Sequence, residues 1–260
     1  MKVTILGCGG SGGVPLAGRS KGGHWGRCDP NNPKNRRSRV SIHVQTAELS
    51  VLVDASPDLR AQLLDHDILS IDAVLFTHAH GDHCHGIDDL RALVYAQSGP
   101  VDAYMDAGTQ ASLTRRFDYA FTSSHDPASL YRPLLADHVV DGPFDLGGVT
   151  VTPFMQGHGP ETTLGYRLGP VGYSTDVVSL DDAAFRALEG VGVWIVDCLR
   201  FEPHPTHAHF DLTMEWIARV KPGRAILTHM NQALDYDVLA ARCPPGVEPA
   251  YDGLTIELPD

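Results

Sequence analysis

No apolar run in this 260-residue sequence approaches the about 18 residues that a membrane-spanning helix requires, which excludes a helical integral membrane protein. Positive charge is scarce. Against 32 Asp and Glu stand 20 Lys and Arg, and the formal net charge of -12 argues against nonspecific binding to nucleic acid or to anionic membranes. There is no C-x-x-C pair: Cys8, Cys28, Cys84, Cys198 and Cys243 are odd in number and widely scattered. With no cleavable signal peptide visible either, reduced thiols in a cytoplasmic protein are expected. Linkers, low-complexity tracts and internal repeats are likewise missing, so residues 1–260 are read as one domain with ample length for a core.

Another absence disqualifies a motif. In VTILGCGGSGGVP, residues 3–15, Gly7, Gly9 and Gly12 match G-x-G-x-x-G behind the apolar run Val3–Leu6. A dinucleotide loop needs a helix N-terminus directly behind it, because aligned backbone N–H groups there hold the pyrophosphate. The chain instead continues VPLAGRSKGGHWGRCDPNNPKN, with Pro15, more glycine and no 3.6-residue period. No second strand ends in an acid at the expected place, and the Rossmann reading fails. The glycines are expected to let the chain leave its first strand beside a functional edge, with backbone N–H groups able to meet a phosphate. Residues 15–38 read as one long surface loop, and a loop of that length in a compact domain is usually functional. Its basic run Lys34–Arg39 is either a solvated face or a source of Arg36, Arg37 or Arg39 for a substrate phosphate.

What is present is a mixture of strands and helices. β-rich runs occur at Val3–Leu6, Val40–Gln45, Leu49–Val53, Ala73–Phe76, Val101–Met105, Val149–Phe154, Leu164–Leu168, Val171–Ser174, Val193–Val196, Ala225–Leu227 and Leu254–Leu258. A helix is expected after Ser56 as N-cap with Pro57 at its first position. Others are expected at Asp88–Ala96, Thr109–Phe117, Ser179–Leu188, where Ser179 and Asp182 resemble a capping box, and Asp211–Val220. Strands interleaved with helices in this way predict an α/β fold whose sheets are covered by helices on their outer faces.

Histidine is abundant, with 14 residues, and its placement matters more than its number. In AVLFTHAHGDHCHGIDD the strand Ala73–Phe76 runs into His78, His80, Asp82 and His83, spaced H-x-H-x-D-H. The two-residue period of a strand sends His78 and His80 to one side, and a turn at Gly81 brings Asp82 and His83 to a second point nearby. Imidazole and carboxylate are ligands for Zn, Mn or Fe. Further on, His158, Asp176 and His229 each follow a predicted strand. Seven such residues exceed what one tetrahedral ion accepts and suit two ions about 3.5–4 Å apart.

H-x-H-x-D-H followed in order by His, Asp and His resembles the metallo-β-lactamase superfamily, and the strand pattern over nearly the whole chain agrees with it. The resemblance implies a four-layer αββα sandwich with two divalent metal ions, Mn or Zn, at one edge between the sheets. It implies that His78, His80 and His158 bind the first ion, that Asp82, His83 and His229 bind the second, and that Asp176 bridges them. Asp54, closing the strand in VLVDAS, matches a position that is an outer acid behind the ligands in many members; as a plain charge before the following helix it has another use.

LGCGGSGGVP, NPKNRRSRVSIHV, HGIDDLR and PTHAHF together resemble the cyclic phosphodiesterase branch, whose best-known member opens phosphoribosyl 1,2-cyclic phosphate. That branch often carries a C-x-C-x-x-C zinc cluster in its first loop; here GHWGRC keeps only Cys28, with His24 as a remnant, and no structural zinc is expected. The implied reaction is hydrolysis of a small or cyclic phosphodiester by a metal-bridging hydroxide, with His207 as general acid and Asp82 orienting the nucleophile. His204 and His209 compete with His207 for that role. Tyr119, Phe121 and Tyr166 are either a stacking wall or core. The implied partner is a small phosphodiester or nucleotide-like substrate, with no membrane and no large nucleic acid, and a homodimer is left open. The rival readings are a tRNA 3′-processing nuclease, a glyoxalase II-type thioesterase and a non-enzymatic metal- or nucleotide-binding module.

Overall fold

Alternation of apolar residues in the strands decides the architecture. In β3 (Ser50–Val53) and β4 (Ala73–Leu75), Val51, Val53, Ala73 and Leu75 pack to one side, while Leu52 and Val74 pack to the other. A sheet apolar on both faces must be covered on both. The structure, a computed structural model, describes residues 1–18, 21–97 and 99–259.

Two seven-stranded sheets stack face to face. The first has the order β14 (Thr255–Glu257), β1 (Lys2–Gly7), β2 (Ser41–Gln45), β3, β4, β5 (Val101–Met105) and β6 (Leu135–Val139). The second runs β7 (Phe144–Leu146), β8 (Val149–His158), β9 (Glu161–Leu168), β10 (Val171–Ser174), β11 (Val193–Asp197), β12 (Arg224–Thr228) and β13 (Val247–Pro249). In both, the first four strands pair antiparallel and the last four parallel. β3 and β10 therefore hold the same position, where antiparallel pairing gives way to parallel.

Val51, Leu75, Val151 and Tyr166 belong to the core between the sheets. Outside the first sheet, α1 (Leu59–Asp65), α3 (Arg91–Gln97) and α4 (Ala107–Arg116) bury Leu59, Leu63, Leu93, Val94 and Leu113 against Leu52, Val74 and Ala103. With the second sheet pack α5 (Asp182–Ala187), α6 (Phe210–Val220) and α7 (Tyr236–Ala240), through Ala184, Trp216 and Leu239. The four-layer αββα sandwich implied by the sequence is the fold. Among the described residues no helix is long and apolar enough to cross a membrane.

The differences from the sequence reading have local causes. β6, β7 and β13 were not expected; each lies at a sheet edge, is three to five residues long and carries Asp, His, Glu or Pro. The first helix starts at Leu59 rather than behind Ser56, whose hydroxyl accepts from the Asp58 N–H and closes a turn ahead of it. Asp181, not Ser179, caps α5, accepting from the Ala184 N–H at 2.8 Å. The stretch expected as one helix at Asp88–Ala96 is a 3-10 turn, Ile87–Leu90, followed by α3. Apart from residues 19 and 20, which lie outside the described residues, the 15–38 segment is irregular as expected. It is not merely a surface loop, however, since Asn35 and Arg37 are buried.

Candidate active site

Strand ends from both sheets build one cluster. In the first sheet β3 leads to Asp54 and β4 leads through Thr77 to His78; the four-residue helix α2 (Gly81–Cys84) then carries Asp82 and His83. From the second sheet come His158 at the end of β8, Asp176 after β10, Asp197 closing β11 and His229 after β12. Asp54, Asp176 and His229 have positive φ, at 64°, 52° and 58°. Non-glycine residues held there cost about 1–3 kcal/mol each and concentrate at functional sites.

Three groups of ligand atoms result: His78 with His80, His158 and Asp176; Asp82 with His83, Asp176 and His229; and Asp197 with His207 and His229. Within each, the atoms lie within 4.8 Å of one another. Asp176 belongs to the first two. Its Oδ2 lies 3.8 Å from Nε2 of His78 and of His158, and its Oδ1 lies 3.1 Å from Nε2 of His83 and of His229.

The far sides of three rings are tied down. His83 Nδ1 lies 2.7 Å from Asp54 Oδ2, and Asp54 also accepts the Thr77 N–H and hydroxyl. Nδ1 of His158 donates to the Thr206 carbonyl at 2.8 Å, and Nδ1 of His78 meets the Thr77 hydroxyl at 3.0 Å. Such partners fix ring orientation and leave Nε2 as the ligand atom. In contrast, Nε2 of His78, His83 and His229 and Oδ2 of Asp82 are buried with no hydrogen-bond partner. Each unpaired buried polar atom costs about 1–3 kcal/mol. Gathering four of them around shared carboxylates fits divalent cations and little else.

Electrostatics separates the two groups. Burial pushes the pKa of His78 and His158 down. Burial opposes charge on His83 as well, yet Asp176 and Asp54 outweigh it and raise that imidazole well above its ordinary value. His229 is likewise raised, to about 9, by Asp176 and Asp82 against burial. Asp176 is held low by His229 and His83 despite full burial, whereas burial leaves Asp54 raised.

Of the three histidines in HPTHAHF, residues 204–210, His207 alone joins the cluster. Its Nδ1 lies 3.0 Å from Asp197 Oδ2, and its Nε2 lies 3.9 Å from Asp176 Oδ2. His204 is held by Thr206, and His209 sits at the start of α6. Asp197 is the residue that sequence reasoning missed, although the signal was there: like Asp176, it is an acid closing an apolar strand.

The packing decides between readings the sequence left open. Arg37 is buried and donates to the Asn231 carbonyl and to Asn35 Oδ1, so it is a structural residue and not a rim contact. Arg39 pairs with Asp58 at 2.9 Å, and the Arg36 guanidinium lies over the Trp25 ring. No stacking wall forms: Phe121 and Tyr166 are core, and the Tyr119 hydroxyl bonds Asp88. The Cys28 thiol contacts the carbonyls of Gln232 and Leu234, and no metal-ligating group among the described residues includes it or His24. Cys84, buried within α2, donates to the His80 carbonyl at 3.0 Å and braces the ligand loop, and the His85 ring packs against Phe117.

The glycine run is explained by close approach. A Cβ on Gly7 would come within 2.1 Å of the Arg39 carbonyl, and one on Gly9 within 2.8 Å of the Ser38 carbonyl. Beside them the half-buried Asp252 accepts from the Cys8 and Ser38 N–H groups, stapling the run to the 36–39 segment, and desolvation raises its pKa to about 6. A Cβ on Gly10 would stand 3.5 Å from His229 Cε1, so this stretch does skirt the cluster.

Residues 50–230 match the family described as the beta-lactamase superfamily domain. A curated relative from Porphyromonas gingivalis (strain ATCC BAA-308 / W83), named octanoyltransferase, is 31% identical over 260 residues. The match covers 98% of this chain and 51% of that protein, so the chain spans about half the length of the curated relative it matches. Among solved structures, a new diphosphatase from the PhnP family superposes with a TM-score of 0.88 at 32% identity, covering 99% of this chain and 98% of that one. Zn(2+)-bound PqqB from Methylobacterium extorquens gives 0.77 at 21% identity over 99% and 100% of the two chains. The short form of human tRNase Z gives 0.69 at 17% over 100% of both. The last two are similar in fold.

Proposed function

Since the chain belongs to the beta-lactamase superfamily and is a metal-dependent hydrolase, we propose that it is a two-metal phosphodiesterase acting on small or cyclic phosphodiesters. The observation that carries this reading is Asp176, a single buried carboxylate whose two oxygens face two separate groups of unpaired imidazoles. His78, His80 and His158 would hold one ion, Asp82, His83 and His229 the other, with Asp176 shared. Two divalent ions there, Mn or Zn, supply Lewis acidity and bring the pKa of water to ~7.

The chain's own residues divide the remaining work. Asp197 accepts the Nδ1 proton of His207 and the Val177 N–H, which fixes the ring with Nε2 toward the cluster. A proton held at His207 Nε2 is then available to the leaving alkoxide, which is too basic to depart without one. Asp82, besides holding the second ion, would accept a hydrogen bond from the attacking water and align it. Cys198, directly after Asp197, is fully buried and takes no part.

Support for phosphorus chemistry comes from the PhnP-family diphosphatase, similar at 32% identity over nearly the whole chain. It also favours a second reading, cleavage of a small substituted diphosphate, where attack on phosphorus is the same and the leaving group is a phosphate. A net charge of -12 counts against a long RNA. The name of the Porphyromonas gingivalis relative belongs to a protein about twice as long, and acyl transfer has no nucleophile in this cluster.

The test is a panel of aryl and alkyl phosphodiesters, cyclic phosphates and substituted diphosphates, run on metal-loaded and chelator-stripped protein. Turnover is expected only with metal, and full activity in stripped protein overturns the proposal. His207→Ala is expected to slow diesters with alkyl leaving groups by about 10²–10⁴-fold, to spare those with nitrophenolate leaving groups, and to leave metal content unchanged.

A further inference from the structure

The outer nitrogen of His229 still lacks a partner, although the other end of that ring serves the second group. Its Nε2 lies 3.1 Å from Asp176 Oδ1 and 3.8 Å from Asp82 Oδ2. A neutral imidazole that ligates through Nε2 carries its proton on Nδ1, and that N–H needs an acceptor. His229 is fully buried, and its Nδ1 has no hydrogen-bond partner. Asp197 Oδ1, buried and likewise without a partner, lies 4.0 Å away. A donor and an acceptor thus stand opposite each other, each orphaned at a cost of about 1–3 kcal/mol.

The sheet brings them together. β11 and β12 run parallel with Asp197 in register with Thr228, so the acid closing one strand stands beside the residue ahead of His229. From α6 the Thr213 hydroxyl donates to the Asp197 carbonyl and holds that backbone in place. The other carboxylate oxygen, Oδ2, takes His207 Nδ1 at 3.0 Å and the Val177 N–H. Both rings therefore meet one carboxylate, and they lie nearly parallel, with centroids 4.7 Å apart and planes at 16°.

A third cation among Asp197, His207 and His229 is the competing reading, and the spacing counts against it. Asp197 Oδ1 and His229 Nδ1 are 4.0 Å apart, and an ion about 2.1 Å from each would subtend an angle of about 145°, far wider than the tetrahedral one. Asp197 Oδ2 is already at hydrogen-bonding distance from His207. An approach of about 1 Å completes a hydrogen bond between the two orphaned atoms instead.

We propose that Asp197 is a positioning residue for two rings at once, orienting the proton donor His207 with Oδ2 and the second ion's ligand His229 with Oδ1. The inference rests on the two-metal reading above. One carboxylate then sets both where the second ion is held and where the proton is delivered, so metal and donor keep a fixed relation.

Asp197→Asn and His207→Ala separate this from a carboxylate that serves His207 alone. Mn²⁺ binding to each is measured by calorimetry, without substrate. Asp197→Asn is expected to lose about 10–100-fold in affinity at one of two sites and to keep the other, while His207→Ala keeps both. Two unchanged affinities in Asp197→Asn overturn the assignment and leave the two-metal reading standing. An equal loss in His207→Ala traces the effect to the ring stack and overturns it too, as does a third ion in the parent that Asp197→Asn loses. The zinc-loaded parent gives a check that no variant's folding can spoil. By ¹⁵N–¹H correlation its His229 Nδ1 proton is expected far downfield, as for an imidazole N–H donated to a carboxylate, and an ordinary position overturns the assignment. A parent that binds fewer than two ions overturns both readings.

Discussion

Asp54 and Asp176 occupy equivalent places in the two sheets, one and two residues after the strand where antiparallel pairing gives way to parallel. Both are buried, and both have a left-handed backbone, with φ of 64° and 52°. The His83 ring lies between them, with Nδ1 2.7 Å from Asp54 and Nε2 3.1 Å from Asp176. Their neighbours differ. The oxygens of Asp54 are occupied by the Thr77 N–H and hydroxyl as well as His83, so this carboxylate only orients. Those of Asp176 face the ligand atoms of His78, His83, His158 and His229. Topology alone therefore does not assign a role. The number of unsatisfied atoms facing a carboxylate does.

Asp176 is where the contrast breaks hardest. Asp176→Ala is expected to lose both ions and to lower diester turnover by at least about 10³-fold, beyond the 10–100-fold typical of an outer partner. Elemental analysis and steady-state assay check it, and retention of two ions would make the two aspartates equivalent after all. Asp54→Asn keeps a residue that tolerates left-handed φ. A loss of about 10–100-fold in affinity for one ion is expected, the other being unaffected, and stepwise metal titration reads both.

Acidity sharpens the comparison further. In the metal-free chain His229 titrates near pH 9 and His83 lies well above its ordinary value, so at pH 7 each carries a proton that a cation must displace; burial keeps His78 and His158 neutral there. Affinity at the second group is expected to rise with pH by up to a hundredfold per unit until about pH 9, and at the first to stay nearly flat. Calorimetry in buffers of different ionisation enthalpy counts the released protons, and equal release from both groups would contradict the assignment. The smallest effect falls on the restraint of Asp54. Thr77→Val removes a buried hydroxyl 2.8 Å from Asp54 Oδ2, at an expected cost of about 1–3 kcal/mol in urea unfolding.

Much of this was legible in the sequence because strands announce their own ends. Apolar runs closing in His78, Asp176 or His229 mark residues that leave a buried sheet at its edge. Asp54 was visible for the same reason, and the structure gives it the orienting place behind His83 rather than that of a helix charge. Asp197 carried the same mark and was overlooked, since without His207 opposite nothing distinguishes it from any strand-terminal acid. β6, β7 and β13 stayed hidden because edge strands need only one partner and tolerate charge or proline. The basic run Lys34–Arg39 misled in the other direction. Its central arginine, Arg37, is consumed by packing, a fate that charge patterning does not reveal.

The ligands also run in a definite order along the chain. His78, His80, His158 and Asp176 have all been made two residues after β10 ends, whereas the other group waits for His229 after β12. Synthesis proceeds from the N-terminus, and folding can follow it. A growing polypeptide thus possesses every side chain of one metal pocket before the residue that closes the other exists.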